Sequence, residues 1–201
     1  MVQTKNDALL WEDFKKGEKY ALSHIYYLYA DRLFRYGKKL TSDDELIKDQ
    51  IQDLFFDLIR NRTTLGTTSN ISFYLIKALR RRLIQNLYGV QRHCVPLKEI
   101  ESQSLHIVYS IEEDFILKED LTRNEENVRK ALSELSPKQR EILYYRFDCD
   151  FEYDQICDIM SMKYDSARKM VFRALKSLRM QMSETNITLF SLFLRFAEER
   201  F

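Results

Sequence analysis

Apolar residues recur at helical spacing along most of this chain, and the polar residues between them sort into faces. Ile47, Ile51, Leu54, Phe55 and Leu58 form one stripe in ELIKDQIQDLFFDLIRNR. Leu75, Leu79, Leu83 and Leu87 form another in NISFYLIKALRRRLIQNLYG. Ala167, Met170, Val171, Ala174, Leu175 and Leu178 form a third near the end. Residues 9–89 are patterned as helix throughout, with interruptions at 41–44 (TSDD) and 61–70 (NRTTLGTTSN). Periodicity fades over 90–111, around Pro96 and a polar EIESQS run, which reads as a linker. It returns over 112–183, and an apolar tail occupies 184–201. The expectation is an all-α protein of two helical domains, 9–89 and 112–183, joined by a tether.

Composition agrees. With 201 residues, 45% of them apolar, the chain can bury two cores, and four Gly with two Pro leave few helix breakers. The net charge of +1 means that only local clusters can speak for a polyanionic partner. Cys94, Cys149 and Cys157 are odd in number and lack CxxC spacing, which argues against a disulfide framework and a zinc site; no metal or cofactor is expected. No signal peptide is discernible, and the apolar run at 187–196 is too short to span a bilayer. A soluble, cytoplasmic protein without membrane insertion is expected. No convergent acid–base pair, nucleophile motif or phosphate loop suggests an enzyme.

The C-terminal stretch carries the clearest chemistry. Ser136-Pro137-x-Gln139 is a helix start: Ser caps, Pro needs no amide hydrogen at the first helical position, and Gln139 completes a capping box. Ile142, Leu143, Tyr145 and Phe147 then supply a buried face. A short helix over 153–160, a turn at 161–163 and a further helix capped by Asp165 or Ser166 follow. On that last helix Arg168, Lys169, Arg173, Lys176 and Arg179 lie opposite the apolar stripe, and residues 163–179 carry net +5, six cations against Asp165. Charged helix faces are usually just solvated. Here one sign dominates, and the helix follows a turn-linked short helix, the order that sets one helix into the DNA major groove.

LSPKQREILYYRF…FEYDQICDIMSMKYDSARKMVFRALKSLR resembles the fourth conserved region of bacterial extracytoplasmic-function (ECF) sigma factors. Tyr153, Ile156, Ile159, Ser166, Arg168, Arg173 and Ala174 hold positions of the family pattern, with Cys157 for the usual Ala, Ser161 for the turn Gly and Ala167 for Val. The resemblance implies that Ser166, Arg168, Lys169 and Arg173 read the minus-thirty-five promoter element, with Lys163 and Lys176 nearer the backbone.

The N-terminal half offers two faces that suit the same family. Asp49, Asp53 and Phe56, with Gln52 at the margin, lie opposite the core stripe of their helix. A phenyl ring among carboxylates suits an interface, unless another helix around 21–33 covers it. DQIQDLFF resembles the sigma segment that docks on the clamp helices of the polymerase β′ subunit, which makes Asp49, Gln52, Asp53 and Phe56 the implied contacts. Tyr74, Lys77, Arg81, Gln85 and Tyr88 form a strip of cations between aromatics, with Arg80 and Arg82 beside it. Such a strip suits single-stranded DNA, since cations meet phosphate and rings stack on unpaired bases. Tyrosines at this spacing also serve as core edge. The family counterpart melts and reads the minus-ten element; Arg81 stands here where Asn is common.

Taken together, the resemblance implies a sigma factor that binds core RNA polymerase through the β′ clamp helices and β flap, engages promoter DNA at two elements, and is held in check by an anti-sigma factor. The acidic residues Glu99, Glu101, Glu112, Glu113 and Asp114 suit a linker lying in a basic channel. A fold-back helix at 187–196 is expected, with an anti-sigma or self-association contact as the sharper alternative. A DNA-binding regulator that never joins polymerase would share the C-terminal module but leave the DQIQDLFF face unexplained, and a purely helical adaptor would leave the one-sided cations unexplained.

Overall fold

A computed structural model describes residues 2–87 and 130–181, and every regular element among them is helical. The chain divides into two compact units, Met1–Glu101 and Ser102–Phe201. The linker at 90–111, its acidic neighbours 112–114, Tyr88, Cys94 and the tail at 184–201 lie outside the described residues.

In the N-terminal unit α1 (Val2–Lys16), α2 (Lys19–Lys38), α3 (Asp44–Asn61) and α4 (Ile71–Leu87) pack around one core. The break between α1 and α2 escapes the hydrophobic pattern and rests on Gly17, whose φ of 92° suits a residue without Cβ. Its N–H donates to the Phe14 carbonyl at 2.9 Å, and that of Glu18 to Asp13 at 3.1 Å, closing α1. A second glycine, Gly37, lets α2 approach α3: a Cβ there would lie 2.5 Å from Ile47 Cγ2. Asp43 caps α3, its carboxylate accepting from Leu46 N at 3.0 Å.

The start of α4 is held from two sides. Asn70 Oδ1 accepts from Phe73 N at 2.8 Å, and the buried carboxylate of Asp7 accepts from Ile71 N at 3.0 Å. Tyr29 donates its hydroxyl to the same carboxylate at 3.1 Å. A carboxylate at a helix N-terminus meets unpaired N–H groups and the positive end of the helix dipole, so Asp7 can be buried without being orphaned. One side chain thereby ties α1, α2 and α4 together.

In the C-terminal unit α5 (Pro137–Leu143) opens with the expected capping box: Gln139 N donates to Ser136 Oγ at 3.3 Å, and Ser136 N to Gln139 Oε1 at 2.9 Å. It runs into a π-helical turn, Tyr144–Asp148, closed by Cys149 N donating to the Tyr144 carbonyl at 3.0 Å. The wider turn changes the face that follows. Tyr144 and Arg146 join Ile142, Leu143 and Tyr145 in the interior, while Phe147 is only half-buried. The helix α6 (Tyr153–Met160) matches its expected span and leads through the turn at 161–163 into α7 (Tyr164–Gln181). Ser161 takes the left-handed conformation (φ 49°, ψ 49°) at the C-terminus of α6.

Candidate nucleic-acid interface

The helix α7 packs on α5 and α6 through Ala167, Val171, Ala174 and Leu178, all buried. The two alanines permit close approach, and Met170 and Leu175 flank the contact half-buried. The helix starts two to three residues earlier than a cap at Asp165 or Ser166 would place it. Ala167 N donates to the Lys163 carbonyl at 3.0 Å, so Lys163 stands at the cap and Asp165 and Ser166 lie inside the first turn. Neither is the capping residue that the sequence pointed to. Asp165 instead sets a carboxylate near the positive end of the helix.

On the open side Lys163, Ser166, Arg168, Lys169, Arg173, Lys176 and Arg179 are all exposed. No carboxylate among the described residues pairs with these cations. The sequence reading passed over Phe172, which is 68% exposed in the middle of this face. The signal was present: Arg168 and Lys176 lie four residues either side of it, on the polar side of the wheel. Around the start of α7 the Arg146 guanidinium lies 5.0 Å from the Tyr153 ring centre, and Tyr153 packs on Tyr164 at 5.5 Å. Arg146 also donates to the Phe151 carbonyl at 3.0 Å. This buried cation thereby fixes the approach of α6 and the first turn of α7. Burial pushes the Tyr153 phenol above its ordinary pKa.

In the N-terminal unit the buried stripe of α3 is Ile47, Ile51, Leu54, Phe55 and Leu58, as the periodicity indicated. Asp49, Gln52 and Asp53 are exposed opposite it, and Phe56 is 60% exposed. The covering helix considered for Phe56 does not cover it: α2 packs on α3 elsewhere, and the two enclose a groove of about 490 Å³ beside the ring. Tyr26 stands edge-on to Phe55 in that groove, with ring centres 5.0 Å apart.

The strip on α4 is narrower than the sequence reading. Arg80 is a correction: it is 3% exposed, with Ile76 and Ile84 buried one turn either side, so its guanidinium is not presented to a phosphate. It is withdrawn from the phosphate-contacting set. Arg82 pairs with Asp57 of α3, which leaves its side chain 16% exposed. Tyr74 is half-buried, packed on Trp11 with ring centres 4.9 Å apart, and burial raises its phenol pKa. Lys77 and Gln85 are half-buried, with the Lys77 ammonium 6.0 Å from the Phe73 ring centre. Arg81 faces solvent. Leu87, expected inside, is 41% exposed at the helix end. No helix among the described residues is long and apolar enough to cross a membrane.

Residues 125–178 match the family described as Sigma-70, region 4. The match takes in α5, the π-helical turn, α6 and α7 as far as Leu178, the last of its buried contacts. No curated protein matches the chain. Among solved structures, the RsbN-BldN complex is similar at 16% identity with a TM-score of 0.33, over 86% of this chain and 99% of that one. That likeness is too remote to bear on function.

Proposed function

With a sigma-70 region 4 match on its C-terminal unit, we propose that this chain is a sigma factor of the extracytoplasmic-function kind, which binds core RNA polymerase and directs it to promoters. The observation that carries the reading is that the matched segment presents a continuous cationic face, unpaired with any carboxylate among the described residues, on the last helix of a helix-turn-helix. In this reading α7 lies in the major groove of the minus-thirty-five element. Arg168 and Arg173 offer guanidinium forks to guanine edges, Ser166 and Lys169 stand close by, and Lys163 and Lys176 reach phosphates. Phe172 adds an apolar surface suited to a thymine methyl group.

The N-terminal unit would bind the polymerase clamp through Asp49, Gln52, Asp53 and Phe56 of α3 and hold unpaired minus-ten bases along α4. Its contacts there reduce to Arg81, Lys77, Gln85 and the exposed edge of Tyr74, with Arg82 available once released from Asp57. An anti-sigma protein covering the Phe56 face would switch the factor off by denying it polymerase.

The deciding experiment mixes the purified chain with core RNA polymerase and a library of promoter-length DNA, then maps transcript starts. Starts that depend on the chain and share two sequence elements support the proposal. Duplex binding without co-elution with polymerase and without directed starts would instead identify a helix-turn-helix regulator.

A further inference from the structure

Trp11 is fully buried on α1, far in sequence from the elements it touches. Its indole N–H donates to the Gly66 carbonyl at 2.8 Å, in the loop 62–70 between α3 and α4. Its ring packs on Tyr74 at 4.9 Å and on Phe14 at 5.5 Å. The loop ends are tied locally. Thr64 N and Oγ1 both donate to the Asn61 carbonyl at 2.9 Å, and Thr68 Oγ1 donates to the Asn70 carbonyl at 3.1 Å. Between Thr64 and Thr68 the tie among the described residues is the indole bond. The loop otherwise presents the exposed hydroxyl-bearing residues Thr63, Thr67 and Ser69, directly before the helix that carries Tyr74 and Arg81. At Gly66 the Cβ direction is open, with nothing within 4 Å. One side of the loop is therefore pinned from within while the other is free to meet a ligand.

We infer that Trp11 is a positioning residue for base discrimination by the N-terminal unit: its indole sets the loop 62–70 and the Tyr74 ring as one reading edge for unpaired bases. This rests on the reading that the unit captures single-stranded promoter DNA. A base read by hydrogen bonds needs donors and acceptors held to within tenths of an ångström, whereas phosphate attraction tolerates a mobile loop. A bond that fixes the middle of a loop removes ordering that binding would otherwise have to supply. Trp11 never touches the DNA in this scheme. It acts through Gly66 and Tyr74.

The test uses the full chain assembled with core polymerase and a pool of short single-stranded DNA of randomised sequence, captured and sequenced. Trp11→Phe keeps a ring against Phe14 and Tyr74 and deletes only the indole donor. The expected result is a loss of base enrichment at one or two adjacent positions by about threefold to tenfold, the span of one net hydrogen bond. Affinity for polymerase and the salt dependence of pool binding should stay at wild-type values. Gly66→Ala, for which the free chain has room, should reduce enrichment at the same positions by crowding the base, and keeps the test alive if Trp11→Phe folds poorly. A fall in melting temperature with enrichment intact in both variants would overturn the inference and leave Trp11 as core alone. Should the wild-type assembly form but enrich no base anywhere, the single-strand reading of this unit fails and the role of Trp11 falls with it.

Discussion

Replacing Phe56 with alanine separates an interface ring from a core ring. A phenylalanine side chain buries roughly 150–250 Å² when fully covered. With Phe56 60% exposed, a partner that covers the remainder removes on the order of 120 Å² from water. At about 25 cal/mol per Å² this is worth about 3 kcal/mol. Ordering of the side chain returns about 0.5–1.5 kcal/mol. The net is about 2 kcal/mol, roughly thirtyfold in affinity. Titration of the labelled chain with core RNA polymerase should show that loss for Phe56→Ala. Thermal unfolding should meanwhile move far less than the 3–5 kcal/mol typical of a core Phe→Ala change would require. The flanking carboxylates, Asp49 and Asp53, should act differently. They are solvated, so their neutralisation should change the association rate and its salt dependence more than the dissociation rate. Unchanged affinity in a natively folded Phe56→Ala chain would refute the interface, and a collapse in melting temperature would return the ring to the core.

The remaining predictions address the DNA faces and the core of the N-terminal unit. Arg168→Ala should cost about 1–3 kcal/mol at one base pair of the minus-thirty-five element, read by competition among single-substitution duplexes; an equal loss on every duplex would make it a phosphate contact. Arg81→Ala should flatten the salt dependence of single-strand binding by about 0.7 in log–log slope. Arg80→Ala should leave that slope alone and instead lower stability by about 1–3 kcal/mol, since the side chain is buried. Burial first, then the charge and hydrogen bond of Asp7, raise the Tyr29 phenol pKa well above its ordinary value. Its proton is held more tightly in the folded chain than in the unfolded one, where the value is about 10. That contribution to stability is complete below pH about 10 and disappears as pH rises through the folded value. Denaturant melts above pH 10 should show the decline, and Tyr29→Phe should show a shallower one.

Much of this could be read from the chain because helical spacing is a strong constraint. The stripes of α3 and α7 fell where they were expected, and so did the cap at Ser136 and the span of α6, since each depends on residues within a turn or two. What escaped depends on backbone geometry or distant contacts. Gly17 ends α1 by adopting a positive φ, and a lone glycine among polar residues does not announce that. The π-helical turn at Tyr144–Asp148 shifts the inward face within one helix, so a regular wheel misplaces Tyr144, Arg146 and Phe147. Trp11 meets Gly66 across 55 residues, a pairing no local pattern encodes.

The run Arg80-Arg81-Arg82 shows where charge in a sequence stops being a guide to charge on a surface. A helix turns 100° per residue, so three consecutive side chains fan across 200° and cannot share one narrow face. Each therefore meets a different environment: Arg80 points into the core between Ile76 and Ile84, Arg82 is taken by Asp57, and Arg81 alone of the three is left exposed. The buried arc of α4 is wide because α1, α2 and α3 all pack on it. On α7 the logic reverses. Its cations are spaced so that Lys169, Arg173 and Lys176 stack along one side, the described helices α5 and α6 occupy the other, and no described carboxylate answers them. Five net charges spread over one open face can each meet a phosphate or a base edge, whereas three adjacent arginines on a crowded helix offer DNA little more than one. The longest unbroken run of cations in the sequence thus lies on α4, but the usable density is highest on α7, and duplex binding by the free chain should be carried there.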